Sequence, residues 1–170
     1  MIQEDRLEML SVLRELHNIS GFRISIHDTK FQEIEAYPKS ISPYCRMVQS
    51  NEKGRCMCVE NDRLAFEHVG KNPEVYLYKC CFGLYEAVAP LYILGTIVGY
   101  LMMGQSIDGS EGSKETLIQN AQNIINDNNA VFEAVDSVSV CSREKIWSII
   151  FLKTLRLKVS VSNFSAAAQA

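Results

Sequence analysis

The stretch that most constrains the fold is residues 54–105, because three elements follow one another there without a linker. A cysteine-rich helix start opens the stretch, and a strand that ends at Cys80 follows it. Two apolar strands, residues 85–92 and 96–103, then form a hairpin with glycine at its turn. Elements this close in sequence are usually neighbours in space, so a ligand or reactive group is expected to be held in this stretch.

The length and charge of the chain argue against several classes of protein. Its 170 residues fit one domain, or one domain with a signalling helix. A net charge of −3 and a pI near 5.6 give no basic surface for nucleic acid, so direct nucleic-acid binding is not expected. No apolar run approaches the roughly 20 residues that span a membrane, and the acidic, amphipathic N-terminus does not resemble a secretory signal. These features predict a cytoplasmic location without membrane attachment.

The elements before residue 54 also have clear patterns. Leucines three residues apart from Leu7 to Leu16 predict an amphipathic helix. Alternating apolar and polar residues predict an antiparallel hairpin over residues 22–27 and 31–36. Ser42-Pro43 then marks the start of a short helix, with serine as the N-cap and proline at the first helical position.

Together these elements predict the fold class. A helix over residues 55–69 is followed by a strand over residues 75–80, whose two apolar faces predict a central position in the sheet. Helices on one face of an antiparallel sheet of about five strands make an α+β fold, as in PAS-like or GAF-like domains.

The C-terminal part predicts a loop and further helices. Residues 106–113 are rich in glycine and serine and predict a surface loop, with Ser113 as the N-cap of the next helix. From Ser142 onward, apolar residues surround too much of a helix to be buried by one sheet. We therefore expect this helix to take part in a homodimer contact together with the N-terminal helix.

The sequence lacks the patterns of a catalytic site. None of His17, His27 and His68 lies in a recognisable nucleophile context. The run GSEGS lacks the lysine and the preceding strand of a phosphate-binding loop. We therefore expect no enzymatic activity, no catalytic residue and no cofactor.

A pocket between the sheet and the helix of Cys58 is the preferred interpretation of the central stretch. Tyrosine hydroxyls and apolar side chains suit a small organic molecule there, with Glu86, Asp62 or Gln105 fixing its polar end. Each tyrosine is equally well interpreted as a core aromatic. The further lining residues predicted are Tyr78, Leu84, Tyr85, Tyr92, Ile97 and Met102.

An ordered set of short motifs resembles the PocR sensory domain, a PAS-like ligand-binding module of bacterial regulators. The motifs that carry this resemblance are Tyr44-Cys45-Arg46, Cys58 with Asp62-Arg63, Cys80 with Gly83-Leu84, Pro90 and Gly104-Gln105. Each motif is only moderately specific, and their order and spacing together carry the resemblance over most of the chain.

The resemblance implies a small-molecule sensor and favours particular residues. Glu86 takes the place of an acidic residue after the Gly-Leu pair, and Cys45, Cys58 and Cys80 match family positions. The ligands implied are small diols or simple hydrocarbon derivatives. Such sensors are attached to AraC-type helix-turn-helix domains or to histidine kinases, so a longer regulator is expected.

With the resemblance, the chain divides into three parts. Residues 1–20 form the N-terminal helix, and residues 21–140 form the sensory domain. Residues 141–170 form a C-terminal signalling and dimerisation helix with the start of a linker.

Two other functions remain as alternatives. If Cys45, Cys58 and Cys80 converge, they would form a thiolate metal site or a redox switch. The Cys-x-Cys and Cys-Cys spacing nevertheless departs from that of structural zinc sites. The second alternative is a ligand-free module that uses the sheet only for protein interaction.

Overall fold

The computed structural model describes residues 3–142 and 144, which form five helices and six strands. In chain order these are α1 Gln3–Ser20, β1 Arg23–His27, β2 Glu33–Tyr37, α2 Pro43–Ser50, α3 Glu52–Lys71, β3 Tyr76–Lys79, β4 Tyr85–Ile93, β5 Thr96–Ile107, α4 Ser113–Gln122, α5 Asn128–Asp136 and β6 Ser139–Val140.

Five antiparallel strands form the sheet in the order β2-β1-β5-β4-β3, and β6 pairs in parallel with the end of β5. This confirms the predicted α+β fold and is consistent with a PAS-like domain. The central strand is β5, whereas the strand predicted to be central, β3, lies at the edge. Strand β3 is apolar on both faces because Leu77 joins the core on one side of the sheet and Tyr78 joins the core on the other.

Helices cover both faces of the sheet, and not one face as predicted. On the face that we call the α1 face, Leu13 packs with Ile24 and Met103. On the opposite face, the α3 face, Phe66 packs with Val88. The inner strands β1, β4 and β5 are therefore largely buried on two sides, which explains why the α3 face contains polar residues that are not exposed.

Helices α2 and α3 are joined by one residue, Asn51, and both start at a capping side chain. The Ser42 hydroxyl accepts a hydrogen bond from the Cys45 backbone N–H at 3.2 Å, as the N-cap motif predicts. The Asn51 side chain accepts one from the Gly54 N–H at 3.2 Å. Because Asn51 caps it, α3 begins three residues earlier than predicted, and it continues past Gly70.

The end of β5 differs from the prediction. Ser106 and Ile107 are buried strand residues paired with β6, so the surface loop begins only after them. Ser113 lies inside α4, and the N-cap residue is Gly112, which has φ 80° and no side chain to make a cap. The sequence does not predict β6, because a strand of two residues is too short to show an alternating pattern.

Glu35 on β2 connects the sheet to α1. Its Oε2 accepts a hydrogen bond from Arg6 Nε at 2.6 Å, and its Oε1 accepts one from Lys39 Nζ at 2.6 Å. Burial raises the pKa of this carboxyl, but the hydrogen bonds from Lys39 and Arg6 outweigh burial and lower the pKa to about 2. Glu35 is therefore an ionised carboxylate at neutral pH.

The predicted terminal helix cannot be compared with the structure. Nearly all of it, with its predicted dimer contact, falls on residue 143 and residues 145–170, which lie outside the described residues. Among the helices that are described, none is long and apolar enough to cross a membrane.

Candidate ligand-binding site

The site is built around Glu86, a carboxyl buried in the middle of the α3 face. Glu86 lies on β4, opposite Tyr78 of β3 and opposite Gly104 of β5. Its side chain occupies the space that a side chain at position 104 would fill, since an added Cβ there would overlap Glu86 Oε2. Only 7% of Glu86 is exposed, so glycine at 104 allows a carboxyl to be enclosed within the sheet layer.

A β-bulge next to Glu86 brings Gln105 into the site. The register shifts between Tyr85, which pairs with Ser106, and Glu86, which pairs with Gly104, so Gln105 is the extra residue. Its φ is 69°, a left-handed conformation that is uncommon for a residue other than glycine.

Gln105 makes two hydrogen bonds that hold the site together. Its side-chain Oε1 accepts a hydrogen bond from the Ser42 backbone N–H at 2.7 Å, which fixes the start of α2 above the sheet. Its own backbone hydrogen-bonds the Glu86 carboxyl. The bulge therefore connects the buried acid to the helix that carries Cys45.

A second acid, Asp62 on α3, faces Glu86. The Tyr78 hydroxyl donates a hydrogen bond to Asp62 Oδ1 at 3.4 Å. Burial raises the pKa of Asp62 to about 6, although this hydrogen bond opposes the rise. Burial and then the nearby Asp62 raise the pKa of Glu86 well above its usual range, which favours the neutral carboxylic acid.

Three thiols lie around the two acids, as the family positions imply. Burial, with Glu86 as the next cause, raises the pKa of Cys45 to about 12 and that of Cys80 further. A hydrogen bond to Cys81, followed by burial, raises the pKa of Cys58. All three side chains are therefore protonated thiols at neutral pH.

We call the following residues the acid–thiol cluster: Cys45, Cys58, Asp62, Tyr78, Cys80 and Glu86. Cys45 interacts electrostatically with both acids, and Cys58 interacts with Cys45 and Cys80. Within residues 3–142 and 144, no three His, Cys, Asp or Glu side chains are placed to hold one metal ion. The three matched thiols are thus neighbours without forming a set of metal ligands.

Two predicted pocket residues lie elsewhere. Tyr85 packs on the α1 face, where its hydroxyl donates to Asp108 Oδ2 at 3.1 Å and its ring lies under Lys79 Nζ. It points away from Glu86 because successive strand residues face opposite sides. Tyr92 is 40% exposed and donates a hydrogen bond to the carbonyl oxygen of Pro73.

Leu84 is a core residue beside the cluster. It is 1% exposed and packs in a core that borders Cys45 and Cys58. Ile97 and Met102, two other predicted lining residues, pack with Tyr78 on the α3 face.

Sequence reasoning missed Arg23. It lies on β1 opposite Gly104, and its guanidinium lowers the pKa of Glu86, although burial outweighs this effect. Arg23 Nη2 donates to Glu33, while its buried Nε has no hydrogen-bond partner. The alternating pattern of β1 assigns Arg23, Ser25 and His27 to a solvent face. That face is not open to solvent in the folded chain, because Phe66 on the buried side of α3 packs against His27.

An open groove of about 400 Å³ lies beside the cluster. It runs between the start of α3, the turn after β3, and α4, and its lining residues are Lys53, Met57, Cys81, Phe82, Asn120, Asn123 and Ile124. Glu86, Asp62 and Tyr78 do not line it. The two acids and the groove are therefore separate features, and Cys58 and Cys81 lie between them.

Comparison with known proteins identifies the family. Residues 5–161 match the family described as the sensory domain found in PocR. Over 82 residues the chain is 26% identical to the regulatory protein PocR of Salmonella typhimurium, an alignment that covers 48% of the chain and 26% of that protein. The match thus spans about a quarter of the relative's length. No solved structure matches the chain significantly. Because the family match covers most of the sequence, the chain belongs to the PocR sensory-domain family.

Proposed function

We propose that this chain is the sensory domain of a bacterial signalling or transcription regulator and that it binds a small organic molecule at the acid–thiol cluster. The observation that carries this proposal is the enclosed Glu86 carboxyl, which lies close to a second acid. A buried acid with a second acid beside it is costly for a folded protein, and such groups are concentrated at functional sites.

The protonation state of the cluster favours an uncharged ligand with hydroxyl groups. A neutral Glu86 carboxyl both donates and accepts a hydrogen bond, and Asp62 and the Tyr78 hydroxyl add further partners. Arg23 Nε is a buried donor without a partner on the same face. Met102, on the same face of the sheet, offers apolar surface for a short hydrocarbon part. A small diol or a similar hydrocarbon derivative fits this chemistry.

The proposed ligand position, between α3 and the sheet, provides a route for signalling. A ligand that contacts both elements biases the domain toward the arrangement for which it has higher affinity. We propose that this shift is reported through a homodimer formed by the terminal helices, to a helix-turn-helix or kinase output domain in a longer chain. The domain itself would be cytoplasmic, without catalysis or a cofactor, and without direct contact to nucleic acid or membrane.

The first experiment measures diol binding. Calorimetric titration of the purified chain with two- to four-carbon diols, and with the matching mono-alcohols, should show binding that requires two hydroxyl groups. Glu86→Met removes the carboxyl and keeps a side chain of similar length, so it should weaken binding. The same variant should keep or raise the free energy of unfolding, because it removes a buried acid.

The matched control is Tyr85→Phe, which removes a hydroxyl from the adjacent residue on the opposite face of the sheet. Diol affinity should not change in this variant. Unchanged affinity in Glu86→Met would exclude Glu86 from the site. Absence of binding by every diol and alcohol would favour the ligand-free interaction module.

The dimer is tested separately by sedimentation velocity at micromolar concentration. We expect a dimer whose dissociation constant changes when a bound diol is present. A monomer both with and without the diol would remove the dimer from the signalling mechanism.

A further inference from the structure

Cys58 and Cys81 contact each other where the groove meets the acid–thiol cluster. The Cys58 and Cys81 thiols interact, although 23 positions separate them in sequence, and both pack against the same core. Asn61, one helical turn after Cys58, accepts a hydrogen bond from the Cys81 backbone N–H at 2.8 Å. The backbone that carries Cys81 is therefore held against α3, beside the turn of the helix that carries Cys58.

The two thiols differ in their surroundings. Cys81 is partly exposed and lines the open groove, so a small solute reaches it from solvent. Cys58 does not line the groove, and it borders the core that contains Leu84. The hydrogen bond from Cys58 lowers the pKa of Cys81, which favours its thiolate form. An accessible sulfur with a second thiol beside it is the usual arrangement of a reactive and a resolving cysteine.

We propose that Cys81 and Cys58 form an intramolecular disulfide when a peroxide enters the groove. The Cys81 thiolate attacks one oxygen of the peroxide, the O–O bond breaks, and Cys81 becomes a sulfenic acid while the released hydroxide takes a proton to form water. The Cys58 sulfur, losing its proton, then attacks the Cys81 sulfur. The S–O bond breaks and a second water leaves. The two thiols together lose two electrons, and these reduce one molecule of hydrogen peroxide to two of water.

The disulfide would join α3 to the turn between β3 and β4. These two elements also carry Asp62 and Cys80, so oxidation would restrict the movement of α3 over Glu86. The proposal does not depend on diol binding, because it stands on the contact between the two sulfur atoms and on the groove.

The experiment detects the cross-link by mass spectrometry. Trypsin cleaves after Arg55, Arg63, Lys79 and Lys114, so one peptide contains Cys56 and Cys58 and another contains Cys80 and Cys81. In the variant Cys56→Ser/Cys80→Ser, each of these peptides has one thiol and the cross-link is unambiguous. Hydrogen peroxide, followed by alkylation without reduction, should join residues 56–63 to residues 80–114. Adding Cys58→Ser should abolish the cross-link and leave a sulfenic acid on Cys81 that dimedone traps.

The matched control is Cys56→Ser/Cys81→Ser, which leaves Cys58 with the adjacent Cys80. Its cross-link yield should be at least about tenfold lower, because disulfide geometry is restrictive. Equal yield in this control would refute the assignment of Cys81. Oxidation of Cys81 to sulfinic acid without a cross-link, in a variant whose circular dichroism melting curve matches that of the parent, would refute the pairing.

Discussion

Replacing Asp62 by Asn should stabilise the domain at neutral pH. The Asp62 side chain projects from α3 and accepts a hydrogen bond from the Tyr78 hydroxyl, and burial raises its pKa from 3.8 to about 6. Asparagine keeps an oxygen that accepts the same hydrogen bond and removes the charge. The gain is therefore the cost of ionising Asp62 inside the fold.

The size of the effect follows from the raised pKa. When folding raises the pKa of an acid, the free energy of unfolding is highest at pH values below the pKa of the unfolded state. It falls as the pH rises through the pKa of the folded state. With pKa values of 3.8 and about 6, the ionisation cost of Asp62 is about 1 kcal/mol at pH 4.5 and about 3 kcal/mol at pH 7.5. The advantage of Asp62→Asn should thus grow by about 2 kcal/mol between these pH values.

Urea unfolding followed by circular dichroism at pH 4.5, 6.0 and 7.5 measures this growth. Comparing two pH values cancels any change in packing that the substitution causes. Glu133→Gln, which removes an exposed acid on α5, serves as the control for a general change in net charge. An Asp62→Asn variant whose free energy of unfolding differs from the parent by the same amount at all three pH values would refute the raised pKa of Asp62 and the desolvation that causes it.

Three further predictions concern the surroundings of the site and α1. Gly104→Ala should destabilise the fold by about 2–3 kcal/mol, because its Cβ would overlap Glu86 and lie 2.8 Å from a backbone oxygen; a urea midpoint equal to that of the parent would contradict this. Gln105→Ala should lower the free energy of unfolding by about 1–2 kcal/mol, because the hydrogen bond to Ser42 is lost. Gln105→Gly should lose about 1 kcal/mol less, because φ is positive at this position. The reverse order of the two variants would be inconsistent with the bulge. Glu35→Gln should lower the free energy of unfolding by about 2 kcal/mol at pH 7, and this difference should shrink as the pH falls from 4.5 toward 2. Thermal melts that show the same loss at every pH would count against the lowered pKa of Glu35.

Much of the architecture is readable from local patterns. Ser42-Pro43 predicts the start of α2 correctly because N-cap chemistry depends on adjacent residues only. The β4–β5 hairpin is likewise predicted by its apolar strands and by Gly95 at the turn. The position of β3 is predicted wrongly, since an edge strand between two cores has the same apolar pattern as a central one.

The candidate site is predictable only in part. The sequence names Glu86, Asp62 and the matched cysteines as separate candidates, and the structure places these side chains near one another. Tyr85 could not be assigned to a face without the strand register, because one residue separates the two faces of β4. Arg23 was missed for a related reason, since residues that it interacts with, among them Lys39 and Cys45, come later in the chain.

The bulge at Gln105 has a mechanical consequence. The residues that directly follow it, Ser106 and Ile107, are paired with β6, and Cys141 donates its backbone N–H to the Ile107 carbonyl oxygen at 2.8 Å. Strand β5 therefore lies beside Glu86 and, two residues further along, pairs with β6 and accepts the hydrogen bond from Cys141. We therefore expect a ligand that binds at Glu86 to alter the pairing of β5 with residues 139–140 directly through the strand, without the involvement of a helix.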